Sequence, residues 1–237
     1  MDATRYTTLT RQMGLFREMD VVANNIANAA TTGFRQQGLV FSEHVHRSAG
    51  GASVSMAHGN VALTSFAQGS LTQTGGRFDL AIEGDGFFMV ETPDGARLTR
   101  AGAFTPNNAG DLVTAQGYPV LDVGEAPIFI PPDATSLQIA EDGSISADGR
   151  LIGQVGVFQP ADKSELQRQD GVLMQVPSGA ELALTTKIKQ GFLEGSNVDA
   201  ISQIARMIEV QRAYEMGQSF LDTENERVKA ALQTLIR

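Results

Sequence analysis

Between Phe78 and Ile188 the chain is broken at close intervals by turn-forming pairs and runs: Asp94-Gly95, Asn108 to Asp111, Gln116-Gly117, Asp142-Gly143 and Asp148-Gly149. Glycine and short amide or carboxylate side chains tolerate the unusual dihedrals of tight turns. The runs between these breaks are short and alternating, so the stretch reads as short strands separated by turns. The segment "FDLAIE" has the matching alternation, with Phe78, Leu80 and Ile82 on one face, and "GDG" at Gly84 to Gly86 ends it. Strands spaced this evenly predict an antiparallel sandwich or barrel-like body. The 25 glycines among 237 residues agree with a turn-rich sheet protein.

The two ends follow a different period. Tyr6, Leu9, Met13, Phe16, Met19, Val22 and Ile26 recur every three or four positions, which predicts one face of a helix. The pattern stops at Asn24, Asn25 and Asn28, and "TTGFR" follows, with Gly33 as a left-handed stop. From Ile201 to the end a second helix carries a seven-residue repeat in Tyr214, Leu221, Val228 and Leu235, the coiled-coil period. Glu209/Arg212, Glu224/Arg227 and Glu226/Lys229 are spaced for ion pairs on an exposed face. "SNVD" places Ser196 three residues before Asp199, as in a capping box. The fold expected is therefore mainly β with α-helical termini. Residues 1–35 and 197–237 form the helical part, 36–74 an irregular linker rich in Gly, Ser, Ala and Thr, 75–190 the central antiparallel β domain, and 191–237 the C-terminal segment and helix.

An apolar helix face needs a cover. The cover is the other terminus, the same termini of neighbouring chains, or both, and a heptad seam looks the same in a closed intramolecular bundle as in an assembly. The stripe Met13, Phe16, Met19 is expected to be buried packing rather than a cofactor box. Asp20 lies beside that stripe, so the seam there is broken or paired with a cation.

Chemistry finds little support in the residues. There is no cysteine, which excludes disulfides, thiol catalysis and cysteine metal sites. His44, His46 and His58 are the only imidazoles; "HVH" puts two on one side of a strand, but a metal site needs a third ligand. Asp79 and Glu83 are the polar partners of an alternating strand, and Asp85 sits in a Gly-flanked turn. They resemble surface residues more than the paired carboxylates of a glycosidase. "EGDGFF" lacks the lysine and following helix of a phosphate loop. No catalytic, cofactor or metal residue is expected. The net charge of −9 disfavours nucleic-acid and anionic membrane surfaces. "MDATRYTTLTRQ" lacks the basic start and apolar run of a secretory signal, so the chain is expected to stay inside or leave by a route without a cleaved signal.

The blocks "NNIANAATTGFR", "FDLAIEGDGFFMV", "LTRAGAFTPNNAGDLVTAQGYPVL", "EDGSISADG" and "QGFLEGSNVDAISQIARMIEVQRAYE" resemble, in order and spacing, the signature blocks of flagellar basal-body rod and hook proteins. The resemblance covers nearly the whole chain and is weakest over 36–74. "MDATRYT", "GEAPIFIP" and the tail "FLDTENERVKAALQTLIR" are most similar to the proximal-rod branch of that family. The resemblance implies a non-enzymatic axial subunit of the periplasmic rod, exported through the flagellar type III apparatus without a cleaved signal. Its partners would be itself and other rod subunits, with no nucleic acid and no membrane insertion. Terminal helices would pack as a coiled-coil-like bundle on assembly, outside which the β domain lies, and the ends would be mobile in the isolated monomer. The implied assembly interface comprises Leu9, Met13, Phe16, Asn24, Asn25, Ile26, Asn28, Ile201, Ile204, Ile208, Arg212, Tyr214, Leu221 and Val228. Two other classes stay open beside that reading: a peptidoglycan-cleaving hydrolase, which a rod-building system also needs, using Asp79 and Asp85, and a soluble β-sandwich binding module with a closed helix bundle.

Overall fold

The computed structural model describes residues 2–46, 54–183 and 186–235, with side chains described for 7–40, 63–183 and 186–234. Two helices, α1 (Asp2–Ala27) and α2 (Ala200–Leu235), flank antiparallel sheets. The chain divides into two compact units. The first holds 1–29, 36–65 and 198–237, and the second holds 30–35 and 66–197.

In the first unit α1 ends where the amides gather. The Asn28 backbone N–H donates to Asn24 O (3.1 Å), and its side-chain Nδ2 donates to the same carbonyl (2.9 Å). The side-chain amide thus adds a second donor to a carbonyl in the last turn. Gly33 is left-handed (φ +70°) but lies well beyond the helix end in the second unit, where a Cβ would meet the backbone of Ala101 at 2.2 Å. It permits a close approach rather than ending the helix. At the start of α2 the cap is Asp199, not Ser196: its carboxylate accepts from the Ile201 N–H (3.2 Å) and from the Ser202 hydroxyl. The pairs on α2 also shift, since Glu209 bonds Arg206 (2.8 Å) while Glu224 bonds Arg227 (2.9 Å) as spaced.

Residues 36–74, expected as an irregular linker, contain regular strands. β1 (Gln37–His46) and β2 (Val54–Thr64) pair antiparallel from Gln37↔Thr64 to His46↔Val54, with an irregularity between Val40 and Phe41. Leu71–Gln73 pairs with Phe192–Glu194 in the second unit. The available signal was the β-branched and aromatic content of "GLVFSEHVH", outweighed by the small residues around it.

The second unit is built of short strands, all paired antiparallel. A six-stranded sheet runs in the order Gln167–Asp170, Leu173–Gln175, Gly95–Thr99, Phe87–Thr92, Val157–Pro160, Ala180–Leu182. A three-stranded sheet of Arg150–Gln154, Ser144–Ala147 and Leu137–Ile139 and further two-stranded pairs complete it. The central strand "FFMVET" is buried on both faces. Phe88 and Val90 join a large core with Leu80, Ile82, Leu112 and Ile145, while Phe87 and Met89 join a smaller one with Leu98, Phe158 and Met174. Side chains alternate across a strand, so a doubly buried strand reads as a continuous apolar run. Phe88 meets Phe104 edge to face at 5.2 Å. The turns fall where the pairs predicted them: Ala147 pairs with Arg150 across Asp148-Gly149, and Asp148 is left-handed (φ 48°), as a two-residue hairpin of this type requires.

Candidate assembly interface

Within the first unit α1 and α2 are antiparallel, since their contacts run in opposite chain directions. Gln12 Nε2 donates to Tyr214 O (2.9 Å), Arg206 bonds Glu18 (2.7 Å from Nε), and Asn25 Nδ2 donates to Gln203 Oε1 (3.0 Å). The seam is largely polar: Gln12, Glu18, Asn25 and Gln203 are buried, alongside Val22 and Val210. Gly217 lets Gln12 approach, because a Cβ there would lie 2.4 Å from Nε2. The Glu18 hydrogen bond holds the Arg206 guanidinium above its ordinary pKa. The acid paired with a cation is thus Glu18, whereas Asp20 is exposed.

The apolar side chains face the other way. Phe16 is 54% exposed and Ile201 80%, and Leu9, Met13, Ile204, Ile208, Met216 and Phe220 are exposed as well. The expectation that Met13 and Phe16 are buried packing therefore fails within a single chain, and Met19 is only half-buried. Ile26, Asn28, Tyr214, Leu221 and Val228 are half-buried, and Asn24 and Arg212 are exposed. The side chain of Leu235 lies outside the described residues. Two grooves flank the helix contact. One of about 390 Å³ lies between Leu15, Met216 and Phe220, and one of about 340 Å³ between Leu9, Met13, Phe16, Tyr214 and Leu221. The exposed large apolar side chains of the first unit are thus gathered mainly on the two helices.

Asn25 is committed inside its own chain. At 1% exposure it donates to Gln37 O (2.7 Å) and Gln203 and accepts from Gln37 N (3.0 Å), so it ties β1 to both helices. Gln12, Glu18, Gln203 and Gly217 are contact residues that sequence reasoning missed. Polar residues inside a helical pattern give no sign that they point inward.

The three carboxylates weighed for catalysis, Asp79, Glu83 and Asp85, have ordinary partners near the surface. Asp79 accepts from Thr74 Oγ1 (2.5 Å), Glu83 pairs with Lys189 (3.0 Å) and Asp85 with Lys163 (2.9 Å). The Lys163 hydrogen bond holds the Asp85 carboxyl below its usual range. The side chains of His44, His46 and His58 lie outside the described residues. Among the described residues no group of three or more ligating side chains could hold a metal ion.

The chain thus combines a sheet body with a pair of terminal helices whose contact includes the buried Gln12, Glu18, Asn25 and Gln203 and which leaves several large apolar side chains exposed. Three family profiles match the chain: flagella basal body rod protein over residues 6–35, flagellar hook protein FlgE/F/G D1 domain over 81–147, and flagellar basal body rod FlgEFG protein C-terminal over 189–234. It is 39% identical to the flagellar basal-body rod protein FlgF of Caulobacter vibrioides over 99% of this chain and 98% of that one. It is 37% identical to FlgF of Mesorhizobium japonicum with the same coverage. With FlgG of Bacillus subtilis it shares 33% identity over 93% of this chain and 94% of that one. The chain belongs to the flagellar basal-body rod protein family, a family of structural, non-enzymatic subunits. Neither the hydrolase nor the free-standing binding module finds support beside it.

Proposed function

We propose that the chain is an axial subunit of the proximal rod, polymerising through its terminal helices to transmit torque across the periplasm. The observation that carries this reading is the outward apolar face of Leu9, Met13, Phe16, Ile201, Ile204 and Ile208, which a single chain leaves uncovered. Heterologous contacts between such faces propagate without closing and generate a filament. The terminal helices α1 and α2 form its inner layer, and the β domain of 75–190 lies outside. The higher identity to two FlgF proteins, 39% and 37%, than to FlgG of Bacillus subtilis, 33%, supports the proximal-rod branch that the sequence resembles.

The same reading assigns the chain's partners as further copies of itself and other rod subunits, and its route as the flagellar type III export apparatus without a cleaved signal. No helix among the described residues is long and apolar enough to cross a membrane. Asn24 and Arg212, both exposed, are available to a neighbouring subunit, while Asn25 serves from within by fixing β1, α1 and α2 in register. The test is electron imaging of basal bodies from a deletion strain complemented with wild type or with Met13→Lys/Phe16→Asp. Rods and everything distal should be missing in the deletion and in the variant. Complete hooks in either would overturn the assignment.

A further inference from the structure

The second unit contains a buried charge cluster that the rod reading does not use. Glu194 is 1% exposed, Arg35 2% and Arg100 3%. Glu194 Oε1 pairs with Arg35 (2.8 Å) and accepts from the Gly69 N–H (3.0 Å), and Oε2 pairs with Arg100 (2.9 Å). Its backbone carbonyl accepts from the Gly33 N–H (2.8 Å). Arg35 also donates to Ala67 O, while Asn197 donates from its backbone to Phe34 O (3.3 Å) and from Nδ2 to Ala67 O (2.8 Å). Arg168 closes over the Phe34 ring at 4.2 Å and donates to Arg35 O.

These residues share a place along the chain. The backbone passes between the two units at 29/30, 35/36, 65/66 and 197/198. Within the second unit, Gly33 and Arg35 lie just inside the first two crossings, Ala67 and Gly69 just inside the third, and Glu194 and Asn197 just inside the fourth. One carboxylate and the bonds around it gather all four.

Burying two guanidiniums against one carboxylate is costly, and well-packed apolar residues of similar volume would hold the segments about as firmly. Burial pushes Arg100 down to about 10 in spite of Glu194. Apolar contact is non-directional, however, whereas charge-assisted hydrogen bonds fix both distance and angle. The use of the cluster is therefore placement. We propose that Glu194, with Arg35 and Arg100, positions the chain for assembly by holding all four crossings of the β body at fixed points as one cooperative clamp. Load carried between the units is then shared by four connections; this last part rests on the rod reading.

Hydrogen exchange by mass spectrometry on the purified full-length chain tests the clamp without any rod. In Glu194→Gln, which keeps the side-chain shape, the amides of Gly33, Gly69 and Asn197 should lose protection together, by about tenfold or more, although 36 to more than 120 residues separate them. Those of Val120, Leu121 and Ile128 should keep it. Loss at Gly69 alone, the direct donor to the carboxylate, overturns the clamp, as does uniform loss through the core. If Glu194→Gln does not fold, Arg35→Met, which leaves the Glu194–Arg100 pair, carries the same expectation. In cells, a variant with the three-site exchange signature should build fewer rods or swim more slowly under viscous load. Unimpaired rods and swimming with that signature present would overturn the positioning role while leaving the rod assignment intact.

Discussion

Asn25 and Asn24 are neighbours with opposite fates. Asn25 makes three hydrogen bonds from a buried site, to Gln37 and Gln203, while Asn24 is exposed. Removing the Asn25 amide leaves the Gln37 backbone N–H and carbonyl short of partners, so Asn25→Ala should cost about 2 kcal/mol in chemical denaturation. Asn24→Ala should stay within about 0.5 kcal/mol. Equal effects at the two positions would contradict this division. Single carboxylates also contribute to the acid sensitivity of the β body. The Ser144 backbone N–H, then its hydroxyl, hold Asp142 below its ordinary 3.8, and the Ser136 and Thr135 backbone N–H groups do the same for Asp148. Folding lowers both pKa values, so the unfolded chain takes up protons first as pH falls. The contribution is present above 3.8 and is lost as pH drops through the folded values. Melting temperature should therefore decline below about pH 4, and less steeply in Asp148→Asn. An acid limb unchanged in that variant would remove Asp148 from the account.

The helices α1 and α2 meet largely through polar groups and leave several large apolar side chains exposed. Gly217 and Gln12 make the seam testable as a pair. Alanine is favoured over glycine in a helix by about 1 kcal/mol. In the wild-type chain, however, the new Cβ would push Gln12 off Tyr214 O, at a cost of about 1 kcal/mol that cancels the gain. With Gln12→Ala already present, Gly217→Ala should stabilise by the full helix-propensity amount. A double-mutant cycle by urea denaturation measures the difference, and additivity would mean that the two residues do not meet. The outward face behaves differently. Phe16→Asp should change monomer stability by no more than about 0.5 kcal/mol while abolishing complementation of motility. A large loss of monomer stability would mean that Phe16 is covered within its own chain.

At the scale of the whole chain, a helix pair with a polar seam and an uncovered apolar face should open more readily than the β body. Limited proteolysis of the isolated chain should remove α1 and most of α2, yet stop near Ala30, because Gly33 and Arg35 are tied into the second unit. Trimming that runs through Arg35 would show that the tie does not hold in solution. Much of this architecture was legible in the residues. Turn pairs such as Asp94-Gly95 and Asp148-Gly149, the apolar positions of "FDLAIE" and the helical period at both ends are local signals, set by backbone sterics and side-chain spacing over a few residues. The sequence by itself determined the strands of the body, the two helices and the family to which the chain belongs. The tertiary structure decided the pairing of β1 with β2, the choice of Asp199 over Ser196 as cap, and the selection of Glu18 rather than Asp20 by Arg206. It also turned Met13 and Phe16 outward and closed Arg100 on Glu194 across 94 residues of chain. Periodicity says which side chains share a face, but what covers that face, and which distant charge answers another, depends on where the folded backbone brings them.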